Sequence, residues 1–91
     1  MNKKELIESV AEATGQSKKV AGDLVDAFIG TVQTAVTNGD RVSLPGFGTF
    51  ERRQRSARTA RNPRTGEPIQ IAAAKVPAFK AGSAFKQSVN K

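Results

Sequence analysis

Cysteine and histidine are both missing from the 91 residues. Without cysteine there is no disulfide and no thiolate metal ligand, which suits an intracellular protein. Without histidine the commonest general base and the commonest zinc ligand are gone, and any Ser-His-Asp triad with them. No convincing pair of carboxylates stands in their place. The chain is therefore not expected to be an enzyme, nor to hold a metal or other cofactor. Long apolar runs are lacking as well. Nothing approaches the roughly 20 apolar residues that cross a bilayer. The opening Met1-Asn2-Lys3-Lys4-Glu5 leads into an amphipathic stretch and lacks the apolar core of a signal peptide.

Acidic residues are scarce, 8 against 15 lysines and arginines, for a net charge of +7. The imbalance is also uneven. Residues 1–50 carry five bases and six acids, a net of −1. Residues 51–91 carry ten bases and only Glu51 and Glu67 as acids, a net of +8. Such asymmetry points to a polyanionic partner, either nucleic acid or an anionic membrane surface. The length allows one domain at most.

Asn2 and Glu5 have the spacing of a capping box, and Leu6, Ile7, Val10, Ala11 and Ala13 follow at helical spacing up to Gly15, which predicts a helix over about 3–14. Ser17 is suited to cap a second, longer helix. In it Val20, Leu24, Phe28 and Val32 step by four beside a second row of Val25, Ile29, Val32 and Val36, ending at Asn38-Gly39-Asp40. So broad an apolar face needs more cover than one short helix offers. Arg41-Val42-Ser43-Leu44 alternates as a strand, Pro45-Gly46 turns it, and Phe47-Gly48-Thr49-Phe50 begins the next. A third helix is expected over 82–90, with Ser83 as a candidate cap. The expected division is a helical part, 1–40, a β part, 41–79, containing an arm at about 52–75, and a C-terminal helical part, 80–91.

Between Phe50 and Ile69 the only apolar side chains, apart from two prolines, are Ala57 and Ala60, so this segment has nothing to give a core. Yet Asn62-Pro63-Arg64-Thr65-Gly66 is a turn signal, and Glu67–Val76 has the composition of a returning strand. Both point to a long hairpin, roughly 40 Å from Arg52 to Pro63 if fully extended. With the arm set aside, too few residues remain for a comfortable core. Two chains sharing one core, built on residues such as Phe28, Val32, Leu44, Phe47, Phe50 and Phe79, would resolve this and supply two arms. The expected state is a homodimer of α+β class.

The arm holds Arg52, Arg53, Arg55, Arg58, Arg61 and Arg64 with no acid among them. Guanidinium groups crowded on one hairpin repel each other unless an anion is bound, and arginine matches phosphates and narrow minor grooves. A solvated basic surface is the plainer alternative. Pro63 reads two ways: as a good turn residue, or as an apolar wedge entering between base pairs from the minor groove. Asn62 beside it offers hydrogen-bonding groups to base edges. Lys3, Lys75, Lys80 and Lys86 would extend a basic track, though each taken singly reads as a surface lysine. The Gly46–Phe50 segment is no P-loop, since no Gly-Lys-Ser/Thr follows.

Three segments, Gly46-Phe47-Gly48-Thr49-Phe50, Arg61-Asn62-Pro63-Arg64-Thr65-Gly66-Glu67 and Lys75-Val76-Pro77-Ala78-Phe79-Lys80, resemble the bacterial histone-like HU proteins, a family that includes integration host factor. The resemblance spans essentially the whole chain. It implies an intertwined homodimer with a helical base, a β-saddle and two arms around double-stranded DNA. It also implies an intercalating Pro63, with Arg53, Arg55, Arg58, Arg61 and Asn62 on the arm's contact surface and Lys3, Lys75, Lys80 and Lys86 contacting DNA from the body. The implied role is bending and compacting DNA in the cytoplasmic nucleoid with little sequence preference, and with better binding to bent, nicked or distorted duplex. Ala60, Ala72, Ala81 and Ser83 depart from the residues usual there in the family. Rival readings are a sequence-specific heterodimer similar to integration host factor, and RNA binding.

Overall fold

The computed structural model describes residues 1–91. The chain divides into two compact units, residues 1–34 and 35–91. In the first, helix α1 (Lys3–Thr14) starts where Asn2 Oδ1 accepts the Glu5 N–H at 2.8 Å. It stops at Gly15, whose N–H bonds the Ala11 carbonyl. Helix α2 (Lys18–Thr37) opens on the Ser17 hydroxyl, which accepts the Val20 N–H at 3.1 Å. Small residues set the close approach of the two helices: Ala11 and Ala21 are buried, and Ile7 lies against Gly22. Ion pairs Lys3–Asp26 and Lys18–Glu8 link them at the surface, where such pairs contribute little.

The second unit takes in the end of α2. Its last carbonyls are satisfied by Gly39 N–H to Val36 and Asp40 N–H to Ala35, the paired bonds of a Schellman ending. Strand β1 (Val42–Leu44) then turns through Pro45-Gly46, with Phe47 N–H bonded back to the Leu44 carbonyl at 3.0 Å. Strands β2 (Gly48–Arg55), β3 (Arg58–Arg61), β4 (Pro68–Ile71) and β5 (Ala74–Ala81) follow, and helix α3 (Ser83–Val89) closes the chain. β1, β2 and β5 form an antiparallel sheet in the order β1-β2-β5, and β3 pairs with β4.

The two ladders share one register. The offset that pairs Gly48 with Ala81 and Arg55 with Ala74 also pairs Arg58 with Ile71 and Arg61 with Pro68. Two unpaired residues on each strand, Ser56-Ala57 and Ala72-Ala73, separate the ladders without shifting the register. The hairpin is therefore continuous from Gly48 to Ala81. The return runs farther than the expected 67–76, and it is what holds Phe79 opposite Phe50.

Pairing alternates the side chains between faces. Val42, Leu44, Phe50, Phe79 and Ala81 share one face, and Ser43, Thr49, Glu51, Arg53, Arg55, Ala78 and Lys80 the other. Phe79 lies 4.9 Å from Phe50 and 5.1 Å from Phe47 between ring centroids, and Phe85 of α3 stacks on Phe47 at 5.4 Å. Each such pair adds about 0.5–1.5 kcal/mol beyond burial.

Two expectations for the C-terminus need correction. Lys80 and Ala81 still pair with Thr49 and Gly48, so the last helix starts at Ser83 and not at 80 or 82. Its cap residue is Gly82, tied by its N–H to the Phe47 carbonyl, and Ser83 makes no capping bond. Val89, at the end of this helix, is exposed.

Gly48 sits at the tightest point. A Cβ there would stand 2.5 Å from Phe79 Cζ and 2.6 Å from the Lys80 carbonyl oxygen. Gly48→Ala is expected to cost about 2–3 kcal/mol, as overpacking against a backbone atom that cannot yield. Urea denaturation checks this; an unchanged midpoint would contradict the Gly48–Ala81 pairing.

Candidate nucleic-acid interface

From residue 52 to 75 every residue is exposed except half-buried Ala60 and Asn62. This stretch holds six arginines and Lys75 against Glu67 alone. Its shape comes from backbone pairing, since it has no core to pack on. Cross-strand partners do supply some side-chain cover. Ala60 and Arg58 share a face with Ile69 and Ile71, while Thr59 and Arg61 share the other with Gln70 and Pro68. Gln70 Nε2 donates to Thr59 Oγ1 at 3.2 Å.

The tip is built on Asn62. Its N–H donates to the Glu67 carbonyl and its carbonyl accepts the Gly66 N–H, both at 2.8 Å, so Pro63, Arg64, Thr65 and Gly66 form a closed loop. The Asn62 side-chain oxygen accepts the Arg64 N–H at 2.8 Å. Gly66 has φ 74°, a conformation that other residues adopt at a cost, as the Asn-Pro-x-x-Gly order anticipates. Arg61 reaches across to the Gly66 carbonyl at 3.2 Å. Pro63 is exposed at the loop's start, its ring unobstructed by the turn bonds. The side-chain oxygen of Asn62 is already used, which leaves its Nδ2 as the group free to donate to a ligand.

The other candidate side chains fall into distinct settings. Arg53 and Arg55 lie on the polar face of the sheet with Lys80, which pairs with Thr49. Lys75, opposite Gln54, lies on the other face. Arg55, Arg58, Arg64, Lys75 and Lys80 make no side-chain hydrogen bond or ion pair within the chain, so their charges are available to an anion. Lys86 stands in the last turn of α3, where a cation also favours the helix end. Lys3 belongs to the first unit and is paired with Asp26 at 2.6 Å.

Two features escaped sequence reasoning. Arg52 is directed to the end of α2. Its Nη1 donates to the Thr37 carbonyl at 3.1 Å, and its guanidinium lies over Gly39. Helix α2 has no basic residue in its own last turn, so Arg52 supplies the cation there. Glu51 is the second. It bonds Arg53 at 3.4 Å and Arg41 at 3.3 Å, so Arg41 joins the polar face from outside the arm. Counting the β1–β2 register outward from Leu44–Gly48 places Arg41 opposite Glu51, a signal present in the sequence once the turn is centred on Gly46.

Comparisons with known proteins bear on this surface. The family model described as "Bacterial DNA-binding protein" matches residues 1–90. The chain is 56% identical over 90 residues to DNA-binding protein HU-beta of Pseudomonas aeruginosa, covering 99% of this chain and all of that one. It is 57% identical to DNA-binding protein HU 1 of Bacillus subtilis, covering 98% and 97%. Among solved structures, an Anabaena HU–DNA cocrystal structure superposes with a TM-score of 0.90 at 48% identity, covering 98% of this chain and 97% of that one. HU from Thermotoga maritima gives 0.69 at 32%, covering 98% of each.

Arg52→Ala is expected to lower stability by about 0.5–1 kcal/mol through the lost helix-end contact. Chemical denaturation reads this; a variant as stable as the parent would show that the Thr37 contact contributes nothing.

Proposed function

The chain belongs to the bacterial DNA-binding protein family, and on that premise we propose that it is an architectural protein of the nucleoid, which binds double-stranded DNA with little sequence preference and bends it. The observation that carries this reading is the hairpin continuous from Gly48 to Ala81, which presents arginines on a ladder with no core of its own. Arg53, Arg55, Arg58, Arg61 and Arg64 contact the duplex along the arm, and Lys3, Lys75, Lys80 and Lys86 meet phosphates from elsewhere in the protein. Phosphate contacts carry no sequence information, which fits a protein that compacts DNA broadly.

Pro63 acts as the wedge. Minor-groove architectural proteins, HU among them, insert an apolar side chain between base pairs and kink the duplex, at a few kcal/mol per unstacked step. The exposed ring at the loop start supports this role, and so does Asn62, whose free Nδ2 suits the acceptors on the floor of the minor groove. Duplexes already bent, nicked or gapped avoid part of the unstacking cost and bind better. Gel-shift titration with linear, nicked and four-way-junction DNA tests the reading. Tighter binding to the distorted forms is expected. Equal binding to all three, a preference of several hundredfold for one sequence, or stronger binding to duplex RNA would overturn it.

The active form is a homodimer. No large side chain of the single chain is fully buried; Leu24 is 54% exposed, Phe28 48% and Phe47 43%. A second copy that covers Phe28, Val32, Leu44, Phe47, Phe50 and Phe79 removes this surface from water, at about 25 cal/mol per Å² of apolar area. It also places two arms on one duplex.

Two variants probe these roles. Pro63→Ala should reduce the bend, read by energy transfer between dyes at the duplex ends, more than it reduces affinity; an unchanged bend would refute the wedge. Phe47→Ala should lower stability by about 3 kcal/mol or more and promote dissociation in sedimentation equilibrium. A fully stable monomer would argue against the shared core.

A further inference from the structure

Glu51 stands alone among cations. On the polar face of the sheet it is flanked by Arg41, which immediately precedes β1, and by Arg53 two residues on. Oε2 accepts from Arg41 Nη2 at 3.3 Å and Oε1 from Arg53 Nη2 at 3.4 Å, so both carboxylate oxygens are engaged. The side chain of Glu51 is only 18% exposed, whereas those of Arg41 and Arg53 are 70% and 54% exposed. The anion is thus held against the sheet and both cations face outward. Each guanidinium has five N–H donors and gives one here, so its outer edge stays free for a phosphate oxygen.

We infer that Glu51 is an internal counter-anion of the DNA-binding face, which cancels one unit of the charge that Arg41 and Arg53 present, and that Arg41 is a DNA-contacting residue. This rests on the DNA-binding reading above. Two effects compete. Holding a side chain in position favours binding, but exposed pairs at these distances give little order. A carboxylate beside an approaching phosphate opposes binding, and it is the larger effect because the Glu51 side chain, only 18% exposed, lies against the sheet with little solvent to screen its charge. One consequence is a limit on counterion release: the face behaves as though it carried one cation fewer than its sequence shows.

Glu51→Gln isolates charge from position. It keeps the size of the side chain and an oxygen that accepts from either arginine, and removes only the negative charge. The full-length variant, checked for fold by circular dichroism, is titrated with a random-sequence duplex over a range of salt. It is expected to bind several-fold tighter than the parent at moderate salt, with a slope of log affinity against log salt steeper by about 0.9, the value for one further phosphate neutralised. In the double variant Glu51→Gln with Arg53→Gln the slope should return to about that of the parent. Arg41→Gln alone should make the slope shallower. A folded Glu51→Gln variant with the parent's slope, or with weaker binding, would overturn the inference while the parent's own binding stands. Absence of salt-dependent binding by the parent would instead sink the functional reading from which this follows.

Discussion

Seven cationic side chains stand on the hairpin segment from 52 to 75 with one acid among them, and their mutual repulsion opposes the backbone pairing that holds the strands together. Only Ile69 and Ile71, themselves exposed on one face of the β3–β4 ladder, offer apolar cover against it. The ladder survives because its register is fixed at both ends. At the base Gly48 lets Phe79 and the Lys80 backbone close in, and at the tip Asn62 and Glu67 are joined by backbone bonds. The residual repulsion is relieved most directly by an anion with regularly spaced charges. The shape of the arm thus comes from its backbone ladder, held against the repulsion of its own charges.

The chain also uses some of that charge on itself. Arg52 serves the end of α2, and Arg41 and Arg53 share Glu51. Six arginines in sequence are therefore not six equivalent contacts. Arg55, Arg58 and Arg64 are unengaged, while Arg61 is tied to the tip loop. Farther down, the apolar side chains are arranged the opposite way. Four phenylalanines gather about one sheet face, and much of the remaining large apolar surface stays exposed. A single chain leaves Leu24, Phe28 and Phe47 substantially exposed, which is the physical argument for the proposed dimer.

Much of this is legible in the sequence alone. Local chemistry sets the helix ends: Asn2 and Ser17 cap as their positions suggest, and Asn38-Gly39 stops α2. The α+β class, the turn at Pro45-Gly46 and the tip at Asn62–Gly66 follow from equally local signals. Non-local pairing is harder to read. The return strand extends to Ala81 because of its partners on β2, and nothing in Ala78-Phe79-Lys80-Ala81 alone marks its end. Ser83 has the composition of a cap, but Gly82 is held by Phe47 and takes the position. Thr37 lies 15 residues from Arg52, and Arg41 lies 10 residues from Glu51. Only the strand register brings them together.

The central claim is that the arm cations neutralise DNA phosphates, and the salt dependence of binding tests it most directly. For five arm arginines engaged, affinity for a random-sequence duplex should fall with salt along a log–log slope of about −4.5, and more steeply if both arms of a dimer take part. A slope near zero, with binding that persists at high salt, would contradict the account.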